Sequence, residues 1–394
     1  MTGKRSHVVV IGGGYAGTLA ANHLRMRNDV DITLVNARPQ FVERIRLHQL
    51  VAGNHAATAD YGSLLGEGIK LVVDTATKID TATRTVRFAS GRRALHYDYV
   101  IYAVGSTAVA PESVPGATEF AHPIGELEYA QWLHDSLEEL HPDAPVTVVG
   151  AGLTGIETAS ELAEQGRKVT LVGGGLLGPS LSEAARRTTI RQLAKMGVTV
   201  LEEDVVAEVR RDAVVFADGA VRPSALTIWT AGFGVPPLAA DSGLRTDALG
   251  RLLTDETLTS IDDQRIIAAG DCAAPSGQPL RMSCQAAGAL APFAAETVLS
   301  RIAGEEPDVI RPKFVGQCVS LGRHAATLQF THADDAPTKV YLNGRLAASI
   351  KEAICKGTLW GIRREARKAG SAFLFKGSER DVMPAAAQQV VTNP

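Results

Sequence analysis

The chain has 394 residues, 45% apolar and 21% charged, which suits a globular protein of two or three domains with full cores. A formal net charge of −3 supplies no basic field, so nucleic acid is excluded as a partner. The polar start Met1–His7 carries no apolar leader, and no apolar run reaches the roughly 18 residues of a membrane span, so the expected compartment is the cytoplasm.

Taken in chain order, Val8-Val9-Val10-Ile11 reads as a buried strand that runs into Gly12-x-Gly14-x-x-Gly17. A helical pattern from Leu19 to Leu24 and a second apolar strand, Asp31 to Val35, complete a βαβ unit. In this arrangement the first glycine makes a tight turn, the second lets backbone approach a pyrophosphate, and the third lets helix pack on strand. The phosphates then meet free N–H groups at the positive end of the helix, near Tyr15 and Ala16. Asn36, where the second strand ends, can hydrogen-bond a ribose hydroxyl without charge assistance. In the stretch Phe41 to Gln49, Arg44, Arg46 and His48 either line a pocket or form the solvated basic face of a helical segment. Tyr99 to Val104 is a strand that exits into Gly105, and Pro111 to Gly116 closes a first segment, residues 1–116.

The pattern then repeats. Val146 to Val149 leads into Gly150-x-Gly152-x-x-Gly155, a helix over Ile156 to Ala163, and a strand over Lys168 to Val172. Leu226 to Ala231 with Gly232 mirrors the earlier exit strand, and Gly234 to Pro237 closes a second segment, residues 117–237. Residues 238–310 are expected to return to the first domain. Beyond Arg311 come short strands, Phe314 to Leu321 and Ala326 to Phe330, and a basic, partly helical tail. Cys272, Cys284, Cys318 and Cys355 form no C-x-x-C pair; they read as small buried hydrophobes, and no metal site is signalled. The expected fold class is α/β: two Rossmann-like dinucleotide-binding domains, the first interrupted by the second, plus a C-terminal α+β segment over 311–394.

These motifs together resemble the pyridine nucleotide–flavin oxidoreductases over about Val8 to Leu321. The matching stretches are Gly12 to Gly17, Tyr97 to Gly105, Gly150 to Glu157, Ile228 to Phe233 and Ile266 to Ala273. The resemblance implies FAD on the first unit, beside Gly12, Gly14, Tyr15, Ala16, Gly17, Asn36, Arg44, Gly105 and Gly270, with Asp271 on its ribityl chain. It implies NADH or NADPH on the second, beside Gly150, Gly152, Leu153, Thr154, Gly155, Gly173 and Gly232. Gly173 stands where a carboxylate commonly reads the adenosine ribose, and a missing carboxylate removes repulsion against a 2′-phosphate. NADPH is therefore expected to serve at least as well as NADH.

Within the family, Gly152 to Glu157, Trp229 to Phe233 and Met282 to Ala287 resemble type II NADH dehydrogenases. That likeness implies Glu157 and Gln285 as catalytic residues beside the nicotinamide and isoalloxazine. A helix capped by Ser283 would aim its positive end at the flavin. The implied activity is NAD(P)H oxidation with a quinone or another small electron acceptor. Quinone-reducing members carry a second glutamine on this helix, where this chain has Ala289. A ferredoxin- or rubredoxin-type reductase shares the motifs but needs a docking surface for an acidic partner. A flavin-bound redox-sensing or partner-binding protein, resembling apoptosis-inducing factor, would turn over slowly. Disulfide reductases need a cysteine near the flavin, and residues 36–53 contain none. The likeness further implies a homodimer and a tail that touches the membrane. Lys351, Lys356, Arg363, Arg364, Arg367 and Lys368 accompany Ile350, Ile354, Trp360, Ile362, Phe373, Leu374 and Phe375 there, while Gly357, Gly361 and Gly370 oppose a long helix.

Overall fold

The computed structural model describes residues 5–372 together with Gly377 and Arg380. Runs of consecutive apolar residues set its two main sheets. Val8, Val9 and Val10 are fully buried, as a strand must be when helices cover both faces of its sheet. Ser6–Ile11 pairs in parallel with Val30–Asn36 on one side and Tyr99–Tyr102 on the other. Ile69–Val73 and Ile266–Ala268 form the two edges of this five-stranded sheet. The second sheet follows the same plan. Leu226–Trp229 and Lys168–Val172 flank Pro145–Val149, with Ala121–Pro123 and Thr199–Leu201 outermost, all parallel. The fold is thus the doubled α/β arrangement.

The repetition extends beyond the glycine motifs. Before its exit strand, each half inserts a three-stranded antiparallel meander. These are Ala76–Asp80, Thr85–Phe88 and Leu95–His96 in the first half, and Val206–Val209, Ala213–Phe216 and Val221–Pro223 in the second. Each meander has a register shift in its first strand, between Ala76 and Lys78 and between Val206 and Glu208. A bulge of this kind breaks the alternation by which a short strand announces itself in sequence.

The C-terminal unit departs from expectation in two ways. Its antiparallel sheet has a third strand, Pro337–Asn343, beside Gly316–Leu321 and Ala325–Thr331. The tail is then a single 24-residue helix, Gly344–Arg367, which runs straight through Gly357 and Gly361. Each glycine costs about 1 kcal/mol of helix propensity relative to alanine. A buried stripe of Ala347, Cys355, Leu359, Ile362 and Ala366 offsets that, because packing rather than propensity holds most protein helices. Phe373, Leu374 and Phe375 lie outside the described residues.

The terminal helix is pinned to the first half by buried polar contacts. Arg25 Nη1 donates to Ala366 O at 2.6 Å. His23 sits between two helices, its Nδ1 2.8 Å from Glu365 Oε1 and its Nε2 2.9 Å from Glu296 Oε1 on the long helix Cys284–Ala303. Burial disfavours the charged imidazole, but hydrogen bonds to Glu296 and Glu365 outweigh it and raise its pKa to about 9.

That folded-state value lies above the unfolded value of 6.5, so the clamp contributes fully below about pH 6.5 and is lost as pH rises through about 9. Relative to a His23→Gln variant, the wild-type unfolding free energy should fall on the order of 2–3 kcal/mol between about pH 6 and pH 10. Urea denaturation at a series of pH values checks this. Parallel pH profiles for the two proteins would contradict it.

Candidate active site

Both glycine turns have the same clearance pattern. A Cβ at Gly12 would lie 2.2 Å from Ala103 O, and one at Gly17 1.8 Å from Gly12 O, whereas one at Gly14 would meet nothing within 4 Å. In the second turn a Cβ at Gly150 would lie 2.3 Å from Thr230 Oγ1, and one at Gly155 2.2 Å from Gly150 O; Gly152 again faces open space. The outer glycines are therefore imposed by packing, and the middle one exposes bare backbone. The helices Tyr15–His23 and Leu153–Glu164 follow with no side chain capping their first N–H groups. An uncapped helix start beside open backbone fits a pyrophosphate. Ala16 is buried in the first helix, and Leu153 and Thr154 open the second.

Side chains around the first turn brace it. Asn36 Oδ1 accepts from Gly13 N at 2.9 Å and its Nδ2 donates to Arg38 O at 2.8 Å, so each end of the amide already holds the loop. Tyr61 Oη donates to Gly13 O at 2.6 Å. Gly270 sits where three elements meet, with a Cβ there only 3.1 Å from Ala16 and 3.7 Å from Ala287. The next residue, Asp271, accepts from Ser106 Oγ at 2.7 Å and from Ser283 N at 3.0 Å. Arg44 reaches the same corner, donating to Ser106 O at 2.5 Å and to Gly125 O at 3.1 Å. Gly105 and Gly232 end the two exit strands with φ of 73° and 76°.

Ser283 caps the long helix, its Oγ accepting from Ala286 N at 3.1 Å. A pocket of about 220 Å³ opens where this helix, the first glycine-led helix and the terminal helix converge. Its wall includes Tyr15, Cys284, Gln285, Ala289, Phe293 and Gly361. Tyr15 packs edge-on against Phe41, ring centroids 5.1 Å apart. The Gln285 amide is committed to backbone, Nε2 donating to Gly316 O at 3.0 Å and Oε1 accepting from Val315 N at 3.1 Å. Burial pushes the Cys284 thiol up to about 12 and that of Cys355 up to about 11, so both are protonated at neutral pH. All four cysteines are free.

Glu157 is no helix-surface carboxylate. It is buried, and its Oε1 accepts from Ser320 N at 3.0 Å, from Ser320 Oγ at 3.2 Å and from Lys351 Nζ of the terminal helix. His48 Nδ1 lies 3.6 Å from Glu157 Oε2, and its Nε2 is 3.3 Å from Ser320 Oγ. Burial alone would raise the Glu157 pKa, but the Lys351 ammonium, helped by the hydrogen bond from Ser320 N, outweighs it and holds the carboxyl below its usual value. Burial likewise works against the Lys351 ammonium, and Glu157 more than restores it. The pair is therefore ionised. His48 is pushed down to about 4, mainly by burial, and is neutral. One turn along the helix, burial raises Glu161 to about 7.

Two expectations change here. Arg46 and His48 belong to neither a solvated basic face nor the pocket wall: both are buried, and Arg46 pairs with Glu43 at 3.3 Å and Glu352 at 3.0 Å. Lys351, grouped by sequence with exposed tail cations, is the buried partner of Glu157. A signal for it existed. Lys351 falls on the stripe Ala347, Cys355, Leu359 and Ile362, and a cation on an apolar stripe needs a buried anion. The bare Gly173 position also has a packing cause, since a Cβ there would lie 2.6 Å from Glu202 O.

The chain is similar to known proteins in sequence and in fold. The model of the pyridine nucleotide-disulphide oxidoreductase family matches residues 6–291. An NADH dehydrogenase-like protein of Bacillus subtilis is 28% identical over 364 residues, which cover 90% of this chain and 97% of the relative. A type II NADH:quinone oxidoreductase of Haemophilus influenzae is 24% identical, covering 83% of this chain and 87% of that one. The sulfide:quinone oxidoreductase structure from Aquifex aeolicus superposes with a TM-score of 0.77 at 22% identity, over 91% of this chain and 92% of that one.

The buried pair makes a prediction of its own. Lys351→Met strands an ionised carboxylate away from water and should destabilise the fold by about 3–5 kcal/mol. The double variant Glu157→Gln/Lys351→Met should recover most of that loss. Guanidinium denaturation of the wild type, Lys351→Met, Glu157→Gln and the double variant gives the coupling, and additive effects would show that the two residues do not interact.

Proposed function

The chain belongs to the pyridine nucleotide-disulphide oxidoreductase family, and on that premise we propose that it is an FAD-dependent NADH dehydrogenase passing electrons to a small quinone-class acceptor. The observation that carries this reading is the pair of glycine cradles with one clearance pattern, each closed at its outer glycines and open at its middle one. Residues 1–116 and 238–310 hold FAD, 117–237 hold the nicotinamide coenzyme, and 311–394 form the acceptor side. When bound, FAD supplies the two-electron chemistry, taking hydride from the coenzyme and releasing electrons to the acceptor.

The protein's share is position and field. Gly14 and Gly152 present backbone to the two diphosphates. Asp271, braced by Ser106 and Ser283, orients toward a sugar hydroxyl of the FAD linker. The start of the Cys284–Ala303 helix lends positive potential where negative charge develops. Ionised Glu157 and Lys351 border the redox centre at fixed charge, and the Gln285 amide locks the pocket wall to the C-terminal sheet. An apolar pocket of about 220 Å³ suits a flat aromatic acceptor better than a protein one.

The same likeness supports a homodimer, which sedimentation velocity checks, and a peripheral membrane contact. No helix among the described residues is long and apolar enough to cross a membrane. Leu346, Ile354 and Trp360 are exposed on the terminal helix near Lys356, Arg367 and Lys368, a mixture suited to an anionic interface. Liposome co-sedimentation of the wild type beside a Leu346→Glu/Ile354→Glu/Trp360→Glu variant, which changes exposed positions only, tests that contact.

The purified protein should be yellow, bleach anaerobically on adding NADH, and recover its colour with soluble quinones faster than with redox proteins. A colourless protein that refuses FAD would overturn the assignment. Two substitutions separate the cradles. Gly14→Ala and Gly152→Ala both add a methyl into open space at ordinary backbone angles, so both proteins should fold. Gly14→Ala should purify without FAD. Gly152→Ala should keep FAD and bind NADH about tenfold or more weakly, measured by flavin bleaching against coenzyme concentration.

A further inference from the structure

The ribose-reading position of the second cradle is closed by the neighbouring strand. Gly173 follows Lys168–Val172, and any side chain there would strike Glu202 O at 2.6 Å and Gly175 O at 2.7 Å. Its glycine therefore records a packing constraint and carries no information about the coenzyme. The segment that closes it, Glu202-Glu203-Asp204, follows the parallel strand Thr199–Leu201 and is bonded to the glycine loop at two points, with a third bond from the end of the strand itself. Gly173 N donates to Leu201 O at 2.8 Å, Gly175 N to Glu202 O at 2.7 Å and Gly174 N to Asp204 O at 3.0 Å.

The Glu202 side chain is held at the same place. Its Oε1 accepts from Leu177 N at 3.0 Å and from Arg186 Nη1 at 2.5 Å. Leu177 is one residue from Gly178, whose N–H donates to Ala151 O, inside the Gly150–Gly155 turn, at 2.7 Å. The carboxylate is thus fixed to the loop that borders the cradle. It remains partly open to solvent, 29% exposed, with Arg186 18% exposed beside it. Arg187, next to Arg186 on the helix Glu183–Lys195, pairs with Glu183.

We propose that Glu202 is the coenzyme-selecting residue. Its carboxylate, supplied from the adjacent strand, faces the adenosine ribose of NADH, repels the 2′-phosphate of NADPH, and keeps Arg186 from that phosphate. Selectivity lost from the usual position is regained in space by a residue later in the chain. This rests on the reading of the second cradle as a nicotinamide coenzyme site, and it reverses the expectation that NADPH serves equally well.

The test compares wild type, Glu202→Gln, Glu202→Asp and the double variant Glu202→Gln/Arg186→Ala. Calorimetry with NAD+ and NADP+ gives binding without turnover, and anaerobic flavin bleaching gives rates with NADH and NADPH. Wild type should prefer the unphosphorylated coenzyme by about a hundredfold, the scale at which one opposed like charge discriminates. Glu202→Gln should cut that ratio by at least about tenfold, chiefly by gaining NADP+ affinity, and Glu202→Asp should retain it. The double variant should lose the NADP+ gain, because the released guanidinium is what captures the phosphate. A wild type that binds both coenzymes equally overturns the proposal, as does a ratio that Glu202→Gln leaves within about twofold. Failure of wild type to bind either coenzyme defeats the dehydrogenase reading itself, a result distinct from an NADH-competent wild type whose ratio does not move.

Discussion

At Gly12 and Gly150 a strand, a turn and a helix approach so closely that a β-carbon would fall 2.2 and 2.3 Å from atoms of the neighbouring exit strand's end. That clearance fixes the angle between strand and helix in each half. The rest of each half follows from it. The helix start is left uncapped, its N–H groups face the open middle glycine, and the exit strand is brought alongside so that Gly105 or Gly232 ends next to the turn. A parallel sheet buried on both faces then supplies the rigidity that keeps two such turns in register within one molecule.

The second constraint is charge kept from water. The terminal helix brings Lys351 to Glu157, Glu352 to Arg46 and Glu365 to His23, so it meets both halves through ionised groups with little access to solvent. Such pairs add little net stability compared with apolar replacements, yet a slip of the helix by one turn would leave every one of them unmatched. They specify where the helix sits. The pocket wall formed by Gly361 and Ile362 is in place only because that position is specified.

Much of the fold was legible because its signals are local. Four apolar residues before a glycine motif define a buried strand, and the same run appearing twice defines the doubling. The meanders were hidden by register shifts at Ala76 and Val206, and the third C-terminal strand by a largely exposed pattern with no apolar face to count. Glycines within the terminal helix pointed toward a break, and packing of the opposite face prevailed over their intrinsic cost. Around the candidate site, the glycines and Asp271 lie in recognisable strings, whereas Lys351 meets Glu157 across 194 positions of sequence. The packing at Gly173 is only half legible for a related reason: Gly175 O lies two residues away, but Glu202 O, the atom nearest a side chain there, comes from the segment after a different strand.

The family match ends at residue 291, yet the helix that closes the apolar pocket begins at Gly344. The pocket is therefore walled partly from within the matched stretch, by Tyr15, Cys284, Gln285 and Ala289, and partly from beyond it, by Gly361 and Ile362. Substitutions along one face of the last helix alter pocket width without disturbing either glycine turn, provided Lys351 and Glu365 keep their partners. Such a layout leaves one wall of the pocket open to change through the last helix while the two glycine turns, set by their own close packing, stay as they are.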